Sequence, residues 1–137
     1  MRSDVGFVVI GRNEGDRLKR CLHSVILSAR RVVYVDSGSV DDSVQFARSI
    51  GALVVELATD LPFSAARARN EGFRALTDST PTVRFVHFID GDCELVDGWT
   101  KAARTFLHDN PSCAVVAGRR RERFPKASIF NTLCDIE

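Results

Sequence analysis

At 137 residues, with 45% apolar and 27% charged side chains, the chain has the balance of a globular protein and fits one domain with a real core. Nineteen lysines and arginines against eighteen acids leave a net charge of +1, which gives no electrostatic reason to expect nucleic acid or an anionic membrane as partner. No apolar run reaches the ~20 residues of a bilayer span and the first residues hold no apolar signal core, so the expected compartment is the cytoplasm.

Strand-like and helix-like segments alternate along the chain, which predicts an α/β fold with a mostly parallel, Rossmann-like sheet and helices on both faces. Residues 5–10 (VGFVVI) read as a strand buried on both sides. A helix is expected to open at Asn13 and Glu14, with Leu18, Cys21, Leu22, Val25 and Ile26 as its apolar stripe. Residues 32–35 (VVYV) predict a second strand, ending in the turn cluster 36–39. Asp41 and Asp42 suit the start of the next helix, and Gly51 its end. Residues 52–57 (ALVVEL) predict a third strand. Ser64 is a fitting N-cap for a helix that runs to about residue 76. Residues 83–89 (VRFVHFI) predict a fourth strand, Trp99 to Leu107 a further helix, and residues 113–117 (CAVVA) a fifth strand. From residue 118 the pattern weakens, with one short helix expected between 124 and 137. The expected division is one α/β unit over 1–118 and the start of an incomplete second region over 119–137.

In an open α/β sheet, ligands collect beyond the carboxyl ends of the strands. Three of those ends are polar in a way that packing does not require: residues 11–14, 36–39 and 90–92. Asp90, Gly91 and Asp92 can form a self-bonded aspartate turn, or offer hard oxygen ligands to Mn2+ or Mg2+ shared with substrate phosphates. Glu94 is a spare ligand or a surface charge. Asp36 can cap its own turn, receive a ribose hydroxyl or base N–H, or do both. Arg67 and Arg74 read as a solvated helix face. Arg119, Arg120, Arg121 and Arg123 make either a solvated basic edge or a surface for an anionic ligand.

Other chemistries are poorly supported. The turn Gly11-Arg12-Asn13-Glu14 is neither a P-loop nor GxGxxG, and no G-x-S-x-G is present. Cys21, Cys93, Cys113 and Cys134 form no CxxC and have no histidine at a ligand offset, so reduced thiols are expected.

Taken together and in order, four stretches resemble family 2 glycosyltransferases: VVIGRNEGDRLKRCLHSV, VVYVDSGSVDDSVQFARSIGA, FSAARARNEGFRAL and FVHFIDGDCEL. The resemblance covers nearly the whole chain. It implies a GT-A fold, a nucleotide-diphospho-sugar donor (a UDP- or GDP-sugar), a divalent metal and inverting transfer to an acceptor. By residue it implies that Asp36 contacts the nucleoside and that Glu14, with Gly11 and Asn13, lines the same pocket. It places Arg69 near the nucleotide, Asp90 and Asp92 at the metal, and Gly91 between them. Many members carry two adjacent aspartates where this chain has Asp36 and Ser37, so one nucleoside contact is lost or passes to the hydroxyl. Complete members continue through an acceptor region carrying the catalytic carboxylate, so the chain is expected to be truncated at its C-terminus, with the base beyond residue 137. Envelope or surface polysaccharide synthesis at the inner membrane face, and self-association through uncovered apolar surface, are further expectations. A nucleotidyltransferase or a non-catalytic nucleotide-binding module are the alternatives.

Overall fold

The computed structural model describes residues 4–136. In chain order the elements are β1 (Val5–Gly11), α1 (Asp16–Ile26), β2 (Arg31–Asp36), α2 (Ser43–Ser49), β3 (Leu53–Glu56), α3 (Ala65–Ser79), β4 (Phe85–Asp90), α4 (Trp99–Asp109) and α5 (Ile129–Ile136). The four strands form one parallel sheet in the order β3-β2-β1-β4. Parallel neighbours cannot be joined by hairpins, and α1, α2 and α3 make the crossovers.

The period of two along each strand sorts side chains to the two faces of the sheet. Val5, Phe7 and Val9 of β1 join Val32 and Tyr34 of β2 against Leu18, Cys21, Leu22 and Val25 of α1 and Ala47 of α2. Val8, Ile10, Val33 and Val35 face the other way, against Ala68 and Leu76 of α3. Covering on both faces is why the strands read as unbroken apolar runs. Gly72 lets α3 press onto this second face. A Cβ there would lie 2.8 Å from Cγ2 of Val35 and closer still to Val8.

Register decides where the site lies. Gly11 stands opposite Asp36, Ile10 opposite Asp90, and Asp36 opposite Glu56. The carboxyl ends of all four strands therefore finish at nearly one level. Three polar turns that are far apart in sequence open along one edge of the sheet.

Several boundaries differ from expectation, each for a local reason. The first helix begins at Asp16, because Asn13 and Gly15 both take φ of 53°, outside the helical region. The second begins at Ser43, whose N–H donates to Oδ1 of Asp41 at 3.0 Å. The fourth strand runs to Asp90, so the first carboxylate of its turn still belongs to the sheet. Residues 113–117 form no fifth strand: they are irregular, and Cys113 and Val115 are exposed. Their β-propensity is real, but a strand exists only with a ladder partner, and among the described residues none pairs with them.

The chain divides into two compact units, one through residue 100 and one from residue 101. The expected boundary at 118 falls inside the second unit. That unit holds most of α4, all of α5, and the arginine cluster. There Arg121 grips Asp135 through Nε at 2.9 Å and Nη2 at 3.2 Å, while the N–H of Glu122 donates to the same carboxylate at 3.0 Å. These bonds, Arg121 first, hold the Asp135 carboxyl below its ordinary range. Among the described residues no helix is long and apolar enough to cross a membrane.

Candidate functional site

The turn after β1 and the turn after β2 are sewn together. Asn13 holds a positive φ, which asparagine tolerates better than most residues. Its N–H donates to Oγ of Ser39 at 2.9 Å, and its Oδ1 accepts from the N–H of Val40 at 2.8 Å. The N–H of Gly15 donates to Oδ2 of Asp41 at 3.1 Å. Asn13 is thus a structural clasp between turns that lie 26 or 27 positions apart.

Asp36 lies at the centre of that clasp. Its Oδ1 accepts from Oη of Tyr34 at 2.9 Å and from Oγ of Ser39 at 2.5 Å. Its Oδ2 accepts from the N–H groups of Gly38 and Ser39 at 3.0 and 2.8 Å. Four bonds fill the capacity of a carboxylate, and Asp36 is only 2% exposed. The next residue, Ser37, is in the opposite state: it is 8% exposed, and its buried Oγ has no hydrogen-bond partner.

Glu14 packs its side chain between the first and third polar turns. A Cβ at Gly11 would come within 3.2 Å of Cγ of Glu14, and one at Gly91 within 3.5 Å. Oε2 of Glu14 stands 2.8 Å from Nη2 of Arg17 in an ion pair. That buried oxygen has the ion pair but no hydrogen bond.

The third turn leaves β4 at Asp90. The N–H of Gly91 donates to the carbonyl of Ile10 at 2.7 Å, and the N–H of Cys93 donates to the carbonyl of Asp90 at 2.9 Å. A Cβ on Gly91 would lie 3.1 Å from that Ile10 oxygen, so a glycine keeps the turn against β1. Oδ1 of Asp90 receives Nη2 of Arg69 from α3 at 2.8 Å. Asp92 is exposed at the rim. Glu94 does not converge on this pair; it pairs with Nε of Arg20 at 3.1 Å.

Beside the second turn a shallow cleft of about 130 Å³ is lined by Arg12, Ser37, Leu57, Thr59, Phe63 and Arg67, among others. Arg67 reads as a solvated helix residue in the sequence. The structure corrects this: it sits three residues past the N-cap Ser64 and donates from Nη1 to the carbonyl of Ala58 at 3.1 Å, at the cleft wall. Arg12, Thr59 and Arg67 were the members that sequence reasoning missed. The cap at Ser64, which places Arg67 in the first helical turn, was the available clue for one of them.

The two aspartates suit a hard divalent cation. They are oxygen ligands on a tight, exposed turn, and one oxygen of Asp90 is already charge-balanced by Arg69. Among the described residues no third acid, histidine or cysteine joins them in a metal-binding group. A cation here would take its other ligands from phosphate oxygens and water, as Mg2+ and Mn2+ commonly do.

The sequence matches the model of glycosyl transferase family 2 over residues 7–131. Among solved structures, the chain is similar to TarS of S. aureus with a TM-score of 0.59 and 18% identity, covering 88% of this chain and 24% of that one. It is similar to glucosyl-3-phosphoglycerate synthase of Mycobacterium tuberculosis in complex with uridine diphosphate, with a TM-score of 0.54 and 21% identity over 86% of this chain and 46% of that one. The same enzyme with Mn2+, uridine diphosphate and glucosyl-3-phosphoglycerate matches with a TM-score of 0.50 and 23% identity, over 68% of this chain and 36% of that one. At these identities the likeness establishes the fold, which is the GT-A fold of glycosyltransferases. The chain spans less than half the length of each of these three neighbours.

Proposed function

The chain belongs to glycosyl transferase family 2, and from that premise we propose that it forms the donor-binding part of an inverting glycosyltransferase that uses a nucleotide-diphospho-sugar. The observation that carries this reading is the register of the sheet, which brings the ends of β1, β2 and β4 to one edge. The cleft at Arg12, Ser37 and Arg67 takes the nucleoside end. Asp90 and Asp92 take the diphosphate end, through Mn2+ or Mg2+. A cation held by Asp90 and Asp92 would supply charge neutralisation to the leaving nucleoside diphosphate.

The chain's own residues have separable tasks in this reading. Asp36 organises the turn that presents Ser37. Asn13 clasps that turn to the end of β1. Gly11 and Gly91 make room for Glu14, whose Oε2 pairs with Arg17. Arg69 positions Asp90 and adds positive charge near the diphosphate. Residues 119–137 begin the acceptor-side region. No residue of this chain is assigned as the base.

The relatives support the ligand class without identifying it. The two glucosyl-3-phosphoglycerate synthase complexes compared above both contain uridine diphosphate, and one of the two also contains Mn2+. The test is calorimetric titration of the protein with UDP, with and without Mn2+, beside Asp92→Asn. Metal-dependent binding that the variant loses by tenfold or more is expected, roughly 1.4 kcal/mol. A folded protein that ignores UDP and GDP in the presence of Mn2+ would remove the donor-site reading.

A further inference from the structure

The second unit separates its charges in a way that the donor site does not use. Residues 119–136 hold five cations, Arg119, Arg120, Arg121, Arg123 and Lys126, against two acids, Glu122 and Asp135. The net charge of +1 over the whole chain hides this local excess. Both acids are occupied. Asp135 accepts from Arg121 and from the N–H of Glu122. Oε1 of Glu122 accepts from the N–H of Phe124 and from Nδ2 of Asn131, each at 3.1 Å. Neither acid is exposed, whereas all five cations are.

α5 divides its surface in the same sense. Asn131 and Asp135, one turn apart, tie one side of the helix to Arg121 and Glu122. Ile129, Phe130, Leu133 and Ile136 recur at helical spacing along the opposite stripe, and they are 57–74% exposed. α5 buries none of its residues. Phe124, in the segment before the helix, is also exposed, and the guanidinium of Arg123 lies 5.7 Å from its ring centre. An uncovered apolar stripe of this kind beside a basic segment marks a docking surface.

We propose that residues 119–136 dock this protein on the surface of an anionic lipid bilayer, with α5 lying in the plane of the headgroups. Eight helical residues are about 12 Å long, too short to cross a bilayer but enough to lie along its face. The apolar stripe sinks into the boundary between headgroups and acyl chains, where its exposed area leaves water. Arg119, Arg120, Arg123 and Lys126 supply the attraction to lipid phosphates, and their long stems let the charges stay at headgroup level. The bonds that occupy Glu122 and Asp135 matter for the same reason, since exposed carboxylates there would be repelled by the surface. Charge complementarity selects an anionic partner, and the apolar stripe selects one with an apolar interior. A bilayer offers both without needing a shaped groove.

Co-sedimentation with vesicles tests this, using phosphatidylcholine alone and phosphatidylcholine with about one third phosphatidylglycerol. Partition onto the anionic vesicles is expected to be at least about tenfold stronger than onto the neutral ones, and to weaken as salt is raised. Replacing Arg119, Arg120 and Lys126 together by glutamine should lower it by at least about tenfold, at roughly fivefold per charge. Phe130→Ser with Leu133→Ser keeps every charge and should also lower it by about tenfold. Circular dichroism checks that α5 survives in that pair, and Phe130→Ser alone serves if it does not. No partition onto anionic vesicles, equal partition onto both kinds, or an apolar variant that binds like the parent would overturn the proposal. So would two other occupants of the same face. A dimer in sedimentation velocity that Phe130→Ser abolishes, with no vesicle binding, would give the stripe to a second copy. Binding to polyglutamate without vesicle binding would give the basic segment to an acidic protein.

Discussion

Oη of Tyr34 donates to Oδ1 of Asp36 at 2.9 Å, two residues along the same strand and on the same face of the sheet. Residues i and i+2 share a face, so β2 itself brings the phenol to the carboxylate. The phenol is buried in the core formed with α1 and α2, and its hydroxyl reaches the polar edge. This bond joins the hydrophobic core to the turn that carries Ser37.

Tyr34→Phe should keep the ring packing and remove one of the four bonds to Asp36. Hydrogen bonds to charged groups are worth about 1.5–3 kcal/mol, and three remaining donors to Asp36 place the cost near the lower end. Urea denaturation should show a destabilisation of about 1–2 kcal/mol. A variant as stable as the parent would show that the phenol contributes nothing to the turn.

The same tyrosine gives a pH test, because it is the only one in the chain. Burial first, and the Asp36 charge second, push its phenol above the ordinary value near 10. The folded state therefore holds its proton where the unfolded chain has lost it. The stability from this group is fully present below pH ~10 and declines as pH rises toward the folded value. Phenolate absorbance should be missing from native protein at pH ~10.5 and appear on adding denaturant. Ordinary titration in the native state would refute the buried placement.

Gly72→Ala tests the contact of α3 with the sheet. Alanine gains helix propensity of about 1 kcal/mol, but its methyl would meet Val8 and Val35, whose backbones are held in the sheet. Overpacking of this kind costs about 1–3 kcal/mol, so a net loss of stability is expected. The same helix carries Arg67 and Arg69, so UDP affinity should fall along with the melting temperature. A rise in melting temperature would show that the helix stands off further than the structure has it.

Arg69→Ala separates positioning from stability. The ion pair with Asp90 is exposed on both sides, and such pairs contribute roughly 0–1 kcal/mol. The melting temperature should move by only a few degrees. Affinity for UDP with Mn2+ should fall by about tenfold, since Asp90 loses its guide and the diphosphate a positive neighbour. Unchanged affinity would exclude Arg69 from the site.

Thiol labelling tests the packing of α1. Burial, then the neighbouring Cys93 and the acids Asp92, Glu94 and Asp90, push the Cys21 thiol up to about 12. At pH 8 the exposed Cys113 and Cys134 should react readily with an alkylating agent. Cys21 should react only after unfolding. Rapid labelling of Cys21 in native protein would contradict a core in which it is fully buried.

Most of the first unit was legible in the sequence because its elements are self-announcing. Residues 5–10 and 32–35 are apolar on both sides, and the Leu18, Cys21, Leu22, Val25 stripe has helical spacing. Residues 113–117 show the limit. Val115 and Val116 have strand propensity, yet pairing is a property of two segments, and propensity in one segment says nothing of the other. The helix start slipped from Asn13 to Asp16 for a related reason. Asn13 is drawn into a positive φ by bonds to Ser39 and Val40, which local sequence does not reveal.

The α/β alternation, the three polar strand ends and the acidic turn at Asp90 and Asp92 are legible in residue order alone, since each is a short-range pattern of apolar spacing and turn chemistry. How polar capacity is shared among those turns is set by the fold. It filled Asp36 and left Ser37 without a partner, although the two are adjacent and both polar. It also moved Arg67 from an assumed solvated face to the cleft and set Arg69 against Asp90. The physical reason is that hydrogen bonds are shared by distance, and the distances that matter here join β1 to β2 and α3 to β4 across long stretches of chain.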